Sequence, residues 1–405
     1  MAPPRARPSA AVTSPSSPPP LLGPVLVVGG CGFLGHHLVA HLLADPACAK
    51  PVYVLDPHIE GSENRHHADQ DVIYIEGSIA DPALVTSVLA RARPRVVLHA
   101  ASPVASLPRA RWAEFEAVNV VGTRILLSAF AASTPETSAV KALVYTSSPD
   151  VYANPPHHDI SETHPLVSED DQHCSEYVRT KAAAQRLVLA ANSPTLRTCA
   201  LLPAHMYGER STQGLPEILA LCADRDGSPT SSPLIQLGPG TNLVSVASAA
   251  NVARAHLLAA KALLDPSRVK NGVVAGESFN ITDGRPVAFW NEHVRAAWKE
   301  ARGLDDDASL LRQVIVVPGW IYRLIAWIAR LLVRTLTLGT VSPPAAVSEQ
   351  GVLYALGEHT YSVEKLRGRL GFEPVRDHER VMRQAVRWEL DRRRRQAKGG
   401  SRKVE

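Results

Sequence analysis

The sequence has few cysteines, and their positions form no pattern. The 405 residues include five cysteines, an odd number with no paired spacing. This argues against a disulfide framework and against a zinc site, and it favours reduced thiols on the cytosolic side. No group of cysteine and histidine residues has the spacing of metal ligands, so we predict no metal.

The chain also lacks a large excess of either charge. Its formal net charge is +4, and arginine and lysine crowd the segment 391–405. We predict a basic disordered tail there, with attraction to an anionic membrane surface as the alternative. Aromatic residues do not alternate with these charges, so no nucleic acid partner is expected. Residues 1–23 are rich in Pro, Ser and Ala and are predicted to be disordered.

The most apolar segment, 314–338, lacks an uncharged run long enough to cross a membrane. Arg323, Arg330 and Arg334 interrupt it and fall on one stripe at helical spacing. Aromatic and aliphatic residues occupy the rest of the helix. Two interpretations stay open: an interfacial helix on a membrane surface, and a buried helix of a substrate lobe with snorkelling arginines.

Short apolar runs alternate with helical patterns in the first half of the chain. This alternation predicts an α/β fold, a Rossmann-type doubly wound parallel sheet covered on both faces. Beyond Pro203 the alternation becomes irregular, which indicates a smaller C-terminal lobe over the carboxyl ends of the strands. We predict a dinucleotide-binding and catalytic domain at 24–203 and a substrate lobe at 204–390 that includes the helix 314–338.

A glycine-rich turn joins the first predicted strand to a helix. Gly29, Gly32 and Gly35 permit a tight turn and a close approach of the backbone to a pyrophosphate, which the helix N-terminus would bind. Asp56 ends the second strand, where a carboxylate would accept hydrogen bonds from the adenosine ribose. Because it would repel a 2′-phosphate, Asp56 favours NAD over NADP.

Three polar residues in the middle of the chain indicate proton transfer. Tyr177 and Lys181 are four residues apart, on one face of a predicted helix, and Ser148 follows an apolar strand. A tyrosine with a reference pKa near 10 needs roughly 4 kcal/mol of phenolate stabilisation to act as a base near pH 7. The Lys181 ammonium can contribute to this, and Ser148 can hold the reacting oxygen.

With these motifs, the chain resembles the extended short-chain dehydrogenase/reductases, and within them the 3β-hydroxysteroid dehydrogenase family. It looks most like the sterol-4α-carboxylate 3-dehydrogenases (decarboxylating). The resemblance covers roughly residues 24 to 390. Besides the glycine turn and the Ser148, Tyr177 and Lys181 motifs, it depends on the stretches 99–103, 118–123, 277–283 and 286–290.

The resemblance implies further site residues. Cofactor contacts would include Phe33, Leu34, Ser78, Ile79, Ala100 and Ala101, together with Tyr177 and Lys181. Asn119 would join the catalytic group by supporting Lys181, often through water; a polar residue capping a helix is the alternative.

The implied activity is NAD-dependent oxidation of the 3β-hydroxyl of a 4α-carboxysterol, or of a related triterpenoid, with loss of carbon dioxide. The alternatives are a plain 3β-hydroxysteroid dehydrogenase with or without isomerase activity, an epimerase-like relative, and a non-catalytic membrane-attached scaffold that binds NAD. A sterol substrate implies the cytosolic face of the endoplasmic reticulum membrane or a lipid droplet. The partner would be a second copy of the chain or other sterol demethylation enzymes.

Overall fold

The computed structural model describes residues 22–66, 71–103, 112–132, 140–171, 174–270, 273–338 and 347–401. Most of the N-terminal segment predicted to be disordered, residues 1–21, lies outside these ranges. The prediction was wrong for its last two residues. Leu22 is fully buried and its backbone N–H donates to the carbonyl of Ala47 at 2.8 Å, and Gly23 forms a bridge with Cys48.

The described residues form strands and helices that alternate through the first half of the chain. The strands are β1 (Val25–Val28), β2 (Val52–Asp56), β3 (Val72–Glu76), β4 (Val96–His99), β5 (Ala142–Thr146), β6 (His157–Ile160), β7 (Arg197–Pro203), β8 (His205–Tyr207), β9 (Leu234–Leu237), β10 (Leu243–Val244), β11 (Val246–Ser248), β12 (Glu277–Ile281), β13 (Val287–Ala288), β14 (Val314–Val317) and β15 (His359–Tyr361). The α-helices are α1 (Phe33–Ala44), α2 (Pro82–Ala92), α3 (Trp112–Phe115), α4 (Thr123–Ala132), α5 (Glu176–Ala190), α6 (Leu215–Leu219), α7 (Ala249–Leu264), α8 (Pro266–Lys270), α9 (Arg295–Ala301), α10 (Asp307–Leu311), α11 (Gly319–Leu336), α12 (Glu349–Leu356), α13 (Glu364–Leu370) and α14 (His378–Ser401).

A parallel sheet of seven strands forms the centre of the described structure, in the order β12-β7-β5-β4-β1-β2-β3. The order reverses between β1 and β4, and ligands bind at such a reversal, outside the carboxyl ends of the strands. Strands β1, β4 and β5 are buried along their whole length, as expected for a sheet covered on both faces. The Rossmann-type α/β fold predicted from the sequence is therefore confirmed.

The boundary placed at residue 203 does not divide the chain cleanly. Strand β12, which lies well beyond it, pairs with β7 at the edge of the parallel sheet, and α7 packs on α1, β5 and β7. A second apolar core, separate from that of the sheet, is built around Trp298 with residues of α6, α9 and α14. Residues of the C-terminal half thus contribute to both cores, and the segments that belong to each core alternate along the chain.

The apolar segment 314–338 is not one helix. Its first four residues form β14, which pairs with β9, and α11 begins at Gly319. Ala326 is the buried residue of α11, whereas Trp320 and Trp327 are 68% and 55% exposed. The interpretation as a buried helix is therefore wrong, and the helix presents a broad apolar face to solvent.

The C-terminal tail predicted to be disordered is helical as far as Ser401; residues 402–405 lie outside the described ranges. Arg392 and Arg393 bond the carboxylate of Glu389, which is 2% exposed. Arg393 also donates to the carbonyl of Pro216 at 3.2 Å. Arg393 thereby ties α14 to α6 of the second core, a contact that the charge pattern alone could not predict.

One helix in the described ranges, Ala113–Ala132, is long and apolar enough to cross a membrane by length and composition. It combines α3, a π-helical stretch at Glu116–Gly122, and α4. The same helix packs against α5 and α2. Its apolar residues therefore have a place in the fold of the sheet domain.

The glycine turn supplies a prediction about stability. A Cβ atom on Gly35 would lie 2.1 Å from the carbonyl oxygen of Gly29, so Gly35→Ala forces the backbone of the turn to move. Overpacking costs about 1–3 kcal/mol, and we expect a loss in the upper part of that range by urea denaturation. Gly368→Ala is the matched control, because no atom lies within 4 Å of its added Cβ in α13. This control should gain about 0.5–1 kcal/mol; equal effects of the two variants would contradict the prediction.

Candidate active site

The turn between β1 and α1 brings the backbone close to the loop after β4. Gly29 has φ +85°, and a Cβ there would lie 2.7 Å from the Cα of Ala101. Helix α1 begins at Phe33 with Gly32 as its N-cap and without a capping side chain. Its first backbone amides are therefore available to an anion, which the positive end of the helix dipole also favours.

Asp56 lies at the end of β2 and is 6% exposed. One carboxylate oxygen accepts from the backbone N–H of Cys31 and the other from that of His58, each at 2.9 Å. Burial raises the pKa of Asp56, and these two bonds oppose the rise. Each oxygen keeps a further lone pair, so the carboxylate can still accept from a ribose hydroxyl.

The remaining residues predicted to contact a cofactor lie in the first turn of α1 and in the loops that follow β3 and β4. The Ala100 N–H donates to the Val28 carbonyl at 2.9 Å, which fixes Ala100 and Ala101 beside β1. Phe33 and Leu34 are buried in the first turn of α1. Ser78 and Ile79 follow β3; Ile79 is 4% exposed and the Ser78 hydroxyl accepts from Ala80 N–H at 3.1 Å.

These features fit a dinucleotide. The close approach of Gly29 to Ala101 leaves no room for side chains in the turn, and the open amides of α1 suit a pyrophosphate. The acid at the end of β2 suits a ribose. The first-turn amides of α1, with Gly29, Asp56 and Ala100, would hold such a molecule.

Ser148 and Tyr177 meet where β5 ends and α5 begins. The Ser175 hydroxyl caps α5 by accepting from Val178 N–H at 3.3 Å, which places Tyr177 in the first turn. Burial raises the pKa of Tyr177, the charge of Asp150 raises it further, and a hydrogen bond with Ser148 lowers it. In the chain alone, Tyr177 is therefore a neutral phenol.

Lys181 is buried one turn further along α5, with 3% exposure. Its ammonium donates to the carbonyl of Thr146 at 2.5 Å and lies 4.6 Å from the centre of the Tyr145 ring. Burial lowers the pKa of Lys181 to about 7. Sequence spacing correctly predicted that Tyr177 and Lys181 share one helix, but it did not predict the bond to the end of β5.

Asn119 lies in the π-helical stretch Glu116–Gly122 and is fully buried. Its amide N–H donates to the hydroxyl of Thr180 at 3.0 Å. Its carbonyl oxygen has no partner among the described residues. Asn119 thus contacts the residue before Lys181, and its unpaired oxygen suits a water that would continue the network.

Sequence reasoning missed a group beside the predicted serine. The hydroxyl of Ser148 donates to the carboxylate of Asp150 at 3.1 Å. Burial raises the pKa of Asp150, and His359 is the largest influence that lowers it. The available signal was an acid two residues after the serine, but His359 comes from a distant part of the chain.

Solved structures with a similar fold include a UDP-glucose 4-epimerase of Thermotoga maritima, with a TM-score of 0.64 at 21% identity over 91% of this chain and 99% of that one. Another is a dTDP-glucose 4,6-dehydratase of Streptomyces venezuelae solved with NAD bound, with a TM-score of 0.65 at 20% identity over 91% and 97% of the two chains. At these identities the likeness concerns the fold.

Sequence relatives are more specific. A decarboxylating sterol-4-alpha-carboxylate 3-dehydrogenase of Candida albicans is 30% identical over 90% of this chain and 97% of its own length. An enzyme of the same name from Mus musculus is 28% identical over 86% of each chain. The sequence profile of the 3-beta hydroxysteroid dehydrogenase/isomerase family matches residues 26–312. The chain therefore belongs to the 3-beta hydroxysteroid dehydrogenase/isomerase family.

Proposed function

We propose that this protein oxidises the 3β-hydroxyl of a 4α-carboxysterol, or of a related triterpenoid, to a ketone with NAD, and that the 4-carboxylate leaves as carbon dioxide. The observation that carries the proposal is the buried Lys181, bonded to the end of β5 and one turn after Tyr177 on α5, together with a Ser148 hydroxyl that lowers the pKa of Tyr177. The Candida albicans and Mus musculus relatives carry the name of this reaction and match most of the chain.

Tyr177 acts as the base of the oxidation. Its phenol must first lose a proton, which its buried position resists. The Lys181 ammonium, held at the end of β5, and the Ser148 hydroxyl both stabilise a phenolate. When a substrate binds, the single Ser148 proton turns to the substrate oxygen and so orients the hydroxyl that Tyr177 deprotonates. NAD, when bound, supplies the hydride acceptor and a positive charge close to Tyr177.

Asp56 selects between the two nicotinamide dinucleotides. Its buried carboxylate is fixed by two backbone amides, so it cannot turn away from a ligand at the end of β2. A ribose with free hydroxyls donates to it, whereas a 2′-phosphate is repelled. This supports NAD as the cofactor.

The oxidation prepares the loss of carbon dioxide. A ketone at carbon 3 makes the 4-carboxylate a β-keto acid, whose carbon–carbon bond breaks to leave an enolate. The Ser148 hydroxyl that held the alcohol can then donate to the enolate oxygen. Bond cleavage itself needs no further acid.

The exposed face of α11 supports membrane attachment. Trp320, Trp327 and Leu336 are 68%, 55% and 81% exposed. Proteins surrounded by water rarely expose so many large apolar side chains on one helix. Arg323, Arg330 and Arg334 share one stripe beside this face, as in helices that lie at a bilayer surface. A sterol substrate dissolves in membranes, so we place the protein on the cytosolic face of the endoplasmic reticulum or on a lipid droplet.

The proposed function predicts the products of the reaction. The full chain in detergent should form NADH and release carbon dioxide in equal amounts from a 4α-carboxy-3β-hydroxysterol, with NADP a poorer cofactor. Tyr177→Phe should lower kcat about 10²–10⁴-fold without loss of thermal stability. NADH without carbon dioxide would indicate a plain 3β-hydroxysteroid dehydrogenase, and absence of turnover with retained NAD binding would indicate the scaffold.

The second prediction concerns Lys181. Lys181→Met should abolish turnover, and its effect on stability should depend on pH. The pKa of Lys181 is about 7 in the folded chain and about 10.4 when unfolded. Between these values the unfolded state binds more protons, so wild-type stability falls as pH falls from about 10 to about 7, by up to roughly 1.4 kcal/mol per pH unit.

Urea denaturation of both proteins across this range checks the prediction. The difference in free energy of unfolding between Lys181→Met and the wild type should shift in favour of the variant as pH falls, and should level off below about pH 7. Titrating cysteines and tyrosines are common to both proteins and cancel in the difference. A difference that does not change with pH would contradict the burial of a titrating lysine.

The third prediction concerns α11. Trp320→Ser and Trp327→Ser should each weaken binding to phosphatidylcholine vesicles about tenfold or more, because each removes roughly 1.5–3 kcal/mol of apolar burial. Leu221→Ser is the control, since Leu221 is 47% exposed but lies outside α11. Sedimentation with vesicles measures the partition; equal losses in all three variants would contradict an interfacial α11.

A further inference from the structure

Asp150 is a half-buried acid whose carboxylate bonds Ser148 of the proposed reaction centre. It lies in the short 3₁₀ turn Pro149–Val151. The Ser148 hydroxyl donates to its Oδ2 at 3.1 Å, and the backbone N–H of Asp150 lies 3.3 Å from the same hydroxyl. Among the described residues, no lysine or arginine forms an ion pair with it.

The groups that face Asp150 come from three elements. Tyr177 of α5, Tyr354 of α12, and His359 and Tyr361 of β15 all interact electrostatically with its carboxylate. Three of these four are phenols, which do not neutralise a carboxylate. His359 can carry a positive charge, but burial lowers its own pKa.

The balance of influences favours a carboxyl group that can hold a proton. Burial is the largest influence on the pKa of Asp150 and raises it, and His359 and Ser148 only oppose that rise. The Ser148 hydroxyl donates to Asp150 and also lowers the pKa of Tyr177, so it interacts with both groups. A proton can therefore pass from Tyr177 to Ser148 while the Ser148 proton passes to Asp150.

The proposed reaction requires such a proton holder. The substrate anion and NAD become a ketone, carbon dioxide and NADH without net release or uptake of a proton. The O–H bond of the 3-hydroxyl breaks, and the hydrogen on carbon 3 leaves as hydride to NAD. When the bond from carbon 4 to the carboxylate breaks, its electron pair forms the enolate, and a new C–H bond at carbon 4 must take a proton.

We propose that Asp150 stores this proton: it accepts, through Ser148, the proton that Tyr177 removes from the 3-hydroxyl, and returns it to carbon 4 after carbon dioxide has left. This inference rests on the proposed decarboxylating oxidation. Carbon 4 is bonded to carbon 3. An acid that is hydrogen-bonded to the serine holding the 3-oxygen can therefore accept the proton from that oxygen and donate it to carbon 4. Tyr177 ends the cycle as a phenolate, ready for the next substrate.

The test is the configuration of the hydrogen added at carbon 4. Wild type and Asp150→Asn turn over a 4α-carboxy-3β-hydroxysterol without a 4-methyl group in D₂O with NAD, and the ketone is reduced at once with borohydride. The variant can still accept the hydrogen bond from the Ser148 hydroxyl through its amide oxygen, but it cannot store a proton. Nuclear magnetic resonance then gives the configuration of deuterium at carbon 4.

We expect the wild type to place deuterium on one face. Asp150→Asn should form product at least tenfold more slowly and place deuterium on both faces, because water then supplies the proton. Asp150→Glu should restore the single configuration at least partly. Tyr361→Phe is the control: it removes a neutral hydroxyl that faces Asp150 and should keep a single configuration.

Several results would overturn the inference. They are a mixed configuration from the wild type, and a single configuration at wild-type rate from Asp150→Asn. If Asp150→Asn does not fold, which thermal denaturation would reveal, a mixed configuration from the wild type would still overturn the inference. If the wild type forms NADH without releasing carbon dioxide, both the proposed function and this inference are contradicted. If the wild type releases carbon dioxide normally and Asp150→Asn matches it in rate and in product configuration, only the inference is contradicted.

Discussion

The buried bond between the Lys181 ammonium and the Thr146 carbonyl is the contact on which the site depends. It joins the end of β5 to the second turn of α5 at 2.5 Å. Ser148 follows that strand end and Tyr177 precedes that turn, so one bond fixes the distance between the serine and the tyrosine. A lysine that is buried away from water needs a hydrogen-bond partner of this kind. The residue that precedes it, Thr180, accepts a hydrogen bond from Asn119.

The parts of the site that could be predicted are those encoded locally. The glycine turn follows β1 directly, Asp56 ends β2, and Tyr177 and Lys181 are one helical turn apart. In each case the residues that shape the backbone and the residues that carry the chemistry lie within a few positions of each other in the sequence. The alternation of apolar runs predicted the parallel sheet for the same reason, because burial on both faces leaves a continuous apolar strand.

The parts that could not be predicted depend on contacts between distant segments. His359 comes to face Asp150 because β15 pairs with β6. Strand β12 returns to the sheet beside β7. The basic C-terminal residues were predicted to be disordered from their charge, yet they are helical, and Arg393 donates to the carbonyl of Pro216 in the distant helix α6. Charge patterns do not reveal such partners.

The second lobe connects the exposed apolar face to the reaction centre. Helix α11 contacts α12, and the side chain of Leu356 packs close to Gly319 at the start of α11. Tyr354 of the same α12 faces Asp150 and bonds His205 at 2.5 Å. The short helix α12 therefore packs on α11 and carries a tyrosine that Asp150 influences electrostatically.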